Sequence, residues 1–296
     1  MKWVLVDLSY LAHRARHTTG DLSSEDIPTG IMFGFFQQLY DLCKHPFINS
    51  NKVLIFTDSK KSYRRKTFPE YKKKRKEQRT EEEQKQLQIM YDQINKLKNK
   101  ILPKLGFPVF KQVGLESDDL IAYVAKELTR KKEEGVIITS DGDLYQCITP
   151  YVKWYDPARE LLMDEKSFED KKGIEPKIWG MVKSISGCTS DCVPGLKGIG
   201  EKGALQYLKG ELAPHLQKFK TITESSEEIV KWGKLVLLPH EKTKPFEIYE
   251  PEYNSKSFFS FCKHYSIMSY LEPGRRDQWI KFFKGEIKGK TRRRKK

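Results

Sequence analysis

The 296-residue chain is poor in the features that hold secreted or membrane-embedded proteins together. Its five cysteines stand at 43, 147, 188, 192 and 262. Their number is odd and no two form a C-x-x-C pair, which argues against a disulfide framework and against a structural zinc site. There is no run of about 18 apolar residues to span a bilayer. The N-terminal "MKWVLVDLSYLAHRAR" meets Asp7 after four apolar residues, too soon for a signal peptide. Acidic charge is in the minority: 40 Asp and Glu face 55 Lys and Arg, a net charge of +15. That excess says little about fold and favours a polyanionic partner. At this level the chain reads as a protein of a reducing, cytoplasmic setting without membrane attachment. It is long enough for one large domain or two modest ones with a sizeable core.

What is present, first, is a set of three short apolar runs with a shared ending. "WVLVD" ends at Asp7, "KVLIFTD" at Asp58, and "GVIITSDGD" at Asp141 and Asp143. Each is continuous rather than alternating and rich in Val and Ile, as in strands buried on both faces of a parallel sheet. Helical segments lie between them. "GIMFGFFQQLYDLCK" follows the first run. A stretch from Glu81 to Leu105 follows the second and places Leu87, Met90, Tyr91, Ile94, Leu97 and Ile101 on one face. "DDLIAYVAKEL" precedes the third. The alternation predicts an α/β fold with a mainly parallel central sheet flanked by helices.

In open α/β sheets the ligand site lies beyond the carboxyl ends of the strands. Strands that each finish on Asp therefore aim acids at one place. "GLESDDLIAY" joins the same edge, with Ser117 expected as N-cap and acids in the first helical turn. Glu116 and Asp119 are three residues apart and can face the same way. Seven carboxylates are thus expected to converge: Asp7, Asp58, Glu116, Asp118, Asp119, Asp141 and Asp143. Crowded like charges raise one another's pKa, and a hard divalent cation is the usual means of keeping them ionised. None of the six histidines falls in these motifs. The donor set predicts an oxygen-only site for one or two Mg²⁺ or Mn²⁺ ions.

The basic excess is concentrated. "KKSYRRKTFPEYKKKRKEQR", Lys60 to Arg79, holds eleven Lys and Arg against two Glu, with Tyr63, Phe68 and Tyr71 interleaved. Cations such as Arg64, Arg65, Lys73 and Lys74 neutralise phosphates, and aromatics stack on unpaired bases, so this is a footprint for single-stranded nucleic acid. A second footprint is "VPGLKGIGEKGALQYL", Val193 to Leu208. Gly198, Gly200 and Gly203 match G-x-G-x-x-G literally, but no strand precedes them, so a dinucleotide site is excluded by context. The stretch reads as a Gly-rich hairpin opening a helix, with backbone N–H groups facing a phosphate and Lys197 and Lys202 close by. Such a hairpin grips a duplex backbone without reading sequence. The C-terminal "KGEIKGKTRRRKK" is a basic tail.

Together these motifs resemble one family, the 5′-nucleases or flap endonucleases, and most closely the stand-alone phage 5′-exonucleases. "GLESDDLIAY" resembles the family's Glu-x-Asp-Asp box and "TSDGDLYQ" its Ser-Asp-Gly-Asp box. "FPEYKKKR" is similar to its Tyr-Lys-x-x-Arg stretch, and "PTGIMFGF" and "GKLVLLP" resemble further segments. The likeness extends from about Asp7 to Pro239. It implies a PIN-like nuclease core over residues 1–165, with a helical arch at about 60–100. A helical DNA-binding region would follow at 166–275, with a helix–three-turn–helix at about 184–210, and then a basic tail at 276–296. It also implies roles. Asp7, Asp58, Glu116, Asp118 and Asp119 would hold a first metal, directly or through water. Asp141, Asp143 and Asp191 would belong mainly to a second. Lys72 and Arg75 would contact the scissile phosphate, with Tyr71 stacking on a base. Gly195 to Gly203 would form the hairpin that also binds a monovalent cation such as K⁺. One departure stands out: where the family reads Gly-Asp-x-x-Asp-Asn before Pro-Gly, this chain reads "GCTSDCVPG". Cys188 and Cys192 replace an Asp and an Asn, and a thiol is a poor ligand for Mg²⁺, so Cys188 puts the second metal site in question.

The expectation is a metal-dependent 5′-3′ exonuclease or flap endonuclease, acting as a monomer near the 5′ ends of branched, nicked or primer-containing DNA. RNA–DNA hybrid is a further expected substrate, and replication proteins are expected partners. Two alternatives remain at this stage: a non-catalytic or weakly active binder of branched DNA, and a related metal-dependent ribonuclease.

Overall fold

The computed structural model describes residues 1–73 and 80–287. In chain order the elements that frame the site are β1 (Trp3–Asp7), α1 (Leu8–Thr19), α2 (Gly30–Cys43), β2 (Lys52–Phe56), α3 (Tyr63–Thr67) and α4 (Glu81–Lys96). Then come β3 (Val109–Phe110), α5 (Ser117–Lys131), β4 (Gly135–Ile138), β5 (Val152–Asp156) and β6 (Leu161–Met163). The remaining helices used here are α6 (Trp179–Ser186), α7 (Glu201–Leu208), α8 (Ser226–Val236), α9 (Ser255–His264) and α10 (Pro273–Phe283).

The apolar runs form the middle of a six-stranded sheet ordered β3-β2-β1-β4-β5-β6. All neighbours are parallel except the last pair, where β6 runs antiparallel to β5. Successive side chains point to opposite faces, so Val4 and Val6 pack under α1 and α2 while Leu5 packs under α5. Both faces are covered, which is why these strands read as unbroken apolar runs. The register pairs Asp7 with Phe56. Asp58 lies two residues past β2 and Asp141 three past β4, so the acids end on one edge.

Helix α4 opens with a capping box between Thr80 and Glu83. Leu87, Met90 and Ile94 are buried, and a π-turn at Leu97–Ile101 carries Leu97 and Ile101 into the same core. Tyr91, expected on that stripe, is instead 40% exposed. Buried Gln93 accepts from the N–H groups of Ile31 and Met32 at 3.1 and 3.2 Å, satisfying the first turn of α2. From Leu87 onward, then, the segment expected in the arch belongs to the core. Lys74 and Arg75 lie outside the described residues.

The C-terminal helices also depart from the expected boundaries. Residues 255–283 were expected in the DNA-binding region and the tail, yet α9 and α10 return to α2. Phe258 is fully buried, 5.3 Å from Phe36 and 4.5 Å from Trp279 between ring centroids. Aromatic pairs of this kind bury large areas and stiffen the core. Phe258→Ala should therefore destabilise the whole protein by about 3–5 kcal/mol. Denaturant unfolding measures this, and a loss under about 1 kcal/mol would show that α9 is only loosely attached.

Candidate active site

Each acid at the sheet edge is placed by a local backbone need. Asp7 occupies the N-cap of α1 and accepts from the Ser9 N–H at 2.8 Å. Asp58 accepts from the N–H and hydroxyl of Ser117, at 2.9 and 3.0 Å, at the start of α5. Asp141 caps the turn Gly142–Cys147 by accepting from the Asp143 N–H at 2.8 Å. Two helix N-termini thus point at the edge, where their dipoles favour negative charge. They do not cancel the crowding. Burial first, and the charge of Asp58 second, raises Asp7 from 3.8 to about 7. Asp118 is held well above its ordinary range by burial, then by Asp141 and Asp7. Asp141 is raised by burial, then by Asp143. Buried carboxylates that repel one another and offer only oxygen donors fit a hard divalent ion.

Glu116, not Ser117, occupies the N-cap of α5. Its carboxylate meets the basic segment. Lys72 Nζ lies 2.7 Å from Glu116 Oε2 and 3.6 Å from Asp191 Oδ2. The Tyr71 hydroxyl lies 3.1 Å from the same Glu116 oxygen and 3.0 Å from Asp191 Oδ2. Lys72 adopts a left-handed backbone with φ 58°, and its N–H donates to the Asp191 carbonyl at 2.9 Å. Tyr71 is 3% exposed and packs with Cys188, Trp232 and Val236. It is therefore not placed to stack on a base in this arrangement, and its one hydroxyl hydrogen lies between two acids.

Asp119 and Arg64 also differ from expectation. Asp119 is completely buried, and both its oxygens take the Arg64 guanidinium at 2.7 Å. Its Oδ1 also accepts from the His240 N–H at 2.8 Å and its Oδ2 from the Glu116 N–H at 3.1 Å. These contacts use the lone-pair positions of a carboxylate, so Asp119 has nothing left for an ion. Arg64, 3% exposed, is likewise unavailable to DNA. Despite burial, Arg64 holds Asp119 below the usual carboxylate range.

A separate trio lies beside Asp141. One ligand atom each from Asp143, Cys188 and Asp191 fall within 4.8 Å of one another. Cys188 Sγ is 3.6 Å from Asp143 Oδ2 and 3.1 Å from Ser190 Oγ. Lys183, absent from the expectations, places Nζ 3.1 Å from Asp143 Oδ1. Its signal was a single lysine inside the apolar run "WGMVKSIS" of α6, easily read as an ordinary surface position.

Of the residues expected to meet DNA, Arg65, Lys73, Lys197, Gly198, Gly200 and Lys202 are exposed. Gly198 has φ 77°, and a Cβ on it or on Gly200 would meet open space. Gly195 and Gly203 are buried. A Cβ on Gly195 would come within 2.3 Å of Gly187 N, so that glycine serves chain packing and not phosphate approach. Among the described residues no helix is long and apolar enough to cross a membrane.

The family model described as the 5′-3′ exonuclease, N-terminal resolvase-like domain, matches residues 2–173. The 5′-3′ exonuclease of Buchnera aphidicola subsp. Schizaphis graminum is 28% identical over 259 residues, 87% of this chain and 83% of that protein. The thermostable DNA polymerase I of Thermus thermophilus is 32% identical over 208 residues; the match spans 70% of this chain but only 24% of the polymerase. Among solved structures, the T5 D15 protein co-crystallised with metal ions has a TM-score of 0.69 at 22% identity, covering 81% of this chain and 90% of that one. The bacteriophage T5 D15 flap endonuclease in a pseudo-enzyme-product complex with DNA and metal ions has a TM-score of 0.68 at 20% identity, covering 96% and 100%. Those two likenesses concern the fold. The match through the acid-bearing half, with a relative aligned over most of both lengths, establishes that the chain belongs to the 5′-3′ exonuclease family and is a nuclease.

Proposed function

We propose that the protein hydrolyses phosphodiester bonds near the 5′ end of flapped, branched or nicked DNA, using two divalent ions, Mg²⁺ or Mn²⁺, at the sheet edge. The observation that carries this reading is the position of Lys72. Its ammonium, at the base of the basic segment, sits against Glu116 and Asp191, one acid from each candidate metal group. Asp7, Asp58, Glu116 and Asp118 are suited to hold the first ion. Asp141, Asp143 and Asp191 are suited to the second. Bound ions there supply charge neutralisation at the phosphate. Lys72 adds a fixed cation for charge that grows in the transition state. Exposed Arg65, Lys73, Lys197 and Lys202 grip flanking phosphates, a contact that positions DNA without reading its sequence. The same grip suits the RNA strand of an RNA–DNA hybrid. The polymerase match supports a partnership with a replicative or repair polymerase. The direct test is a 5′-flap substrate with and without Mg²⁺. Cleavage is expected only with the ion; binding without cleavage under either condition would favour a branched-DNA binder.

At the second position Cys188 and Lys183 weaken the fit to Mg²⁺ that the three carboxylates offer. A thiol is soft, and the Lys183 ammonium competes for Asp143. The Cys188 thiol lies 3.6 Å from Asp143 Oδ2, close enough to donate to it, so it stands where another carboxylate would offer a hard oxygen donor. Cys188→Asp should lower the Mg²⁺ concentration for half-maximal cleavage and narrow any advantage of Mn²⁺. Superimposable titrations of two equally folded proteins would remove Cys188 from the ion's surroundings.

Lys72→Ala should slow single-turnover cleavage by about a hundredfold or more while flap affinity changes only a few fold, since many cations share the phosphate load. An unchanged rate at saturating enzyme would leave Lys72 as a structural tie to Glu116 and Asp191.

The crowded acids also set a pH dependence. Asp7, Asp118 and Asp141 hold their protons more tightly folded than unfolded. Between an unfolded value of 3.8 and a folded value of about 7, the folded state binds more protons, so stability falls as pH rises through that window. Asp119 contributes the opposite sign, but its effect is complete once pH exceeds its unfolded value. Metal-free protein should lose melting temperature from about pH 5 to about pH 7, and the gain from added Mg²⁺ should grow over the same range. A metal-free melting temperature that rises with pH there would contradict a buried acid cluster.

A further inference from the structure

We infer that Arg64 is a positioning residue for the nuclease reaction: its fork on Asp119 sets the first turn of α5, and through it Glu116, against the segment that carries Lys72. The inference rests on the proposed roles of Glu116 and Lys72.

Arg64 lies in the most basic stretch of the chain, where its neighbour Arg65 is exposed. Its own side chain turns inward. Nη1 and Nη2 each meet one Asp119 oxygen at 2.7 Å, Nε donates to the Leu235 carbonyl at 2.8 Å, and Nη2 reaches the Leu237 carbonyl at 3.3 Å. One planar group thereby ties together α3, the start of α5 and the end of α8. A lysine is a point charge and could not bind this way.

The consequences run outward from Asp119. Its Oδ2 holds the Glu116 N–H at 3.1 Å, fixing the residue whose carboxylate holds Lys72 at 2.7 Å and Tyr71 at 3.1 Å. Its Oδ1 holds the His240 N–H at 2.8 Å, and the His240 ring stacks on Tyr63 at 5.8 Å. Tyr63 is the first residue of α3 and is bonded through its N–H to the Gly114 carbonyl at 2.8 Å. The spacing of Lys72 from the first acid group is therefore set from both sides by the pair. Stability alone is a weak reason for such a pair, because buried ion pairs often hold a fold no better than apolar residues of similar size. What the fork adds over an apolar contact is direction.

The test must separate positioning from folding. Arg64→Gln with Asp119→Asn removes both charges together and keeps a donor for the Leu235 carbonyl and an acceptor for the His240 N–H, but loses the fork. Circular dichroism and melting report the fold. Flap affinity, single-turnover rate and the Mg²⁺ concentration for half-maximal cleavage report function. The folded double variant should bind flap DNA within about threefold of wild type. It should cleave about tenfold to a hundredfold more slowly, with a raised Mg²⁺ requirement. Adding Lys72→Ala should cost less in this background than in wild type, because residues acting through one geometry are not additive. A folded double variant with wild-type rate and metal dependence overturns the inference. If the double variant does not fold, Arg64→Lys is measured instead, with the same rate and affinity criteria. If neither folds, the pair is a stability element and the inference is overturned. Failure of wild-type protein to cleave a flap would instead count against the proposed function.

Discussion

Repulsion among carboxylates packed at one edge of a sheet is the constraint around which the rest of this molecule is arranged. Charge in a poorly solvated place is costly, and Asp7, Asp118 and Asp141 all feel it. The fold accepts that cost by making each acid serve the backbone as well. Asp7 caps α1, Asp58 receives the N–H of Ser117, and Asp141 caps the turn that follows β4. The strands beneath are buried on both faces and locked in parallel register. The acids therefore cannot drift apart without disturbing core residues such as Leu5 and Val6.

The answer to that repulsion divides neighbouring residues. Asp118 and Asp119 are adjacent in sequence but meet different fates. Asp118 faces the charges of Asp141 and Asp7. Asp119 faces inward and is neutralised by Arg64. Consecutive residues on a helix point about a quarter-turn or more apart, so one first turn can serve the site and anchor it at once. The net positive charge of the chain is likewise divided. Part of it is spent internally on Asp119, Glu116 and Asp143, through Arg64, Lys72 and Lys183. Cations such as Arg65, Lys73, Lys197 and Lys202 remain exposed.

What could be read from the sequence was local. Unbroken Val/Ile runs marked the strands, and an Asp at the end of each marked the edge, because both signals lie within a few residues. The larger misplacements came from distant contacts. Arg64 meets Asp119 across 55 positions and Tyr71 meets Asp191 across 120. Nothing in "SYRRKTFPEYK" separates the inward Arg64 from the outward Arg65. The glycines of the hairpin look alike in sequence, yet Gly195 faces Ser186 and Gly187 while Gly198 faces open space. Nothing near Phe258 in sequence points to its partner Phe36, 222 positions earlier in the chain.

The two groups of acids are not equivalent, and the difference follows from which elements build them. The first comes from strand ends and the start of α5, where backbone N–H groups fix oxygen donors. The second takes Asp141 and Asp143 from the turn after β4 but draws Asp191 and Cys188 from a hairpin between α6 and α7, closed by a bridge between Cys188 and Val193. A hairpin of this kind sets where a side chain stands but does not require it to be acidic, since Cys188 takes its place in the bridge through backbone N–H and C=O groups at 2.8 and 3.0 Å. Substitution there is consequently cheap for the fold and expensive only for the chemistry. Asp7 has no such freedom: its carboxylate is both cap and candidate ligand. A thiol can therefore enter the second group without disturbing the first, and any change in ion preference would arise on the hairpin side, where Lys72 is tied to Asp191 through both its ammonium and its N–H.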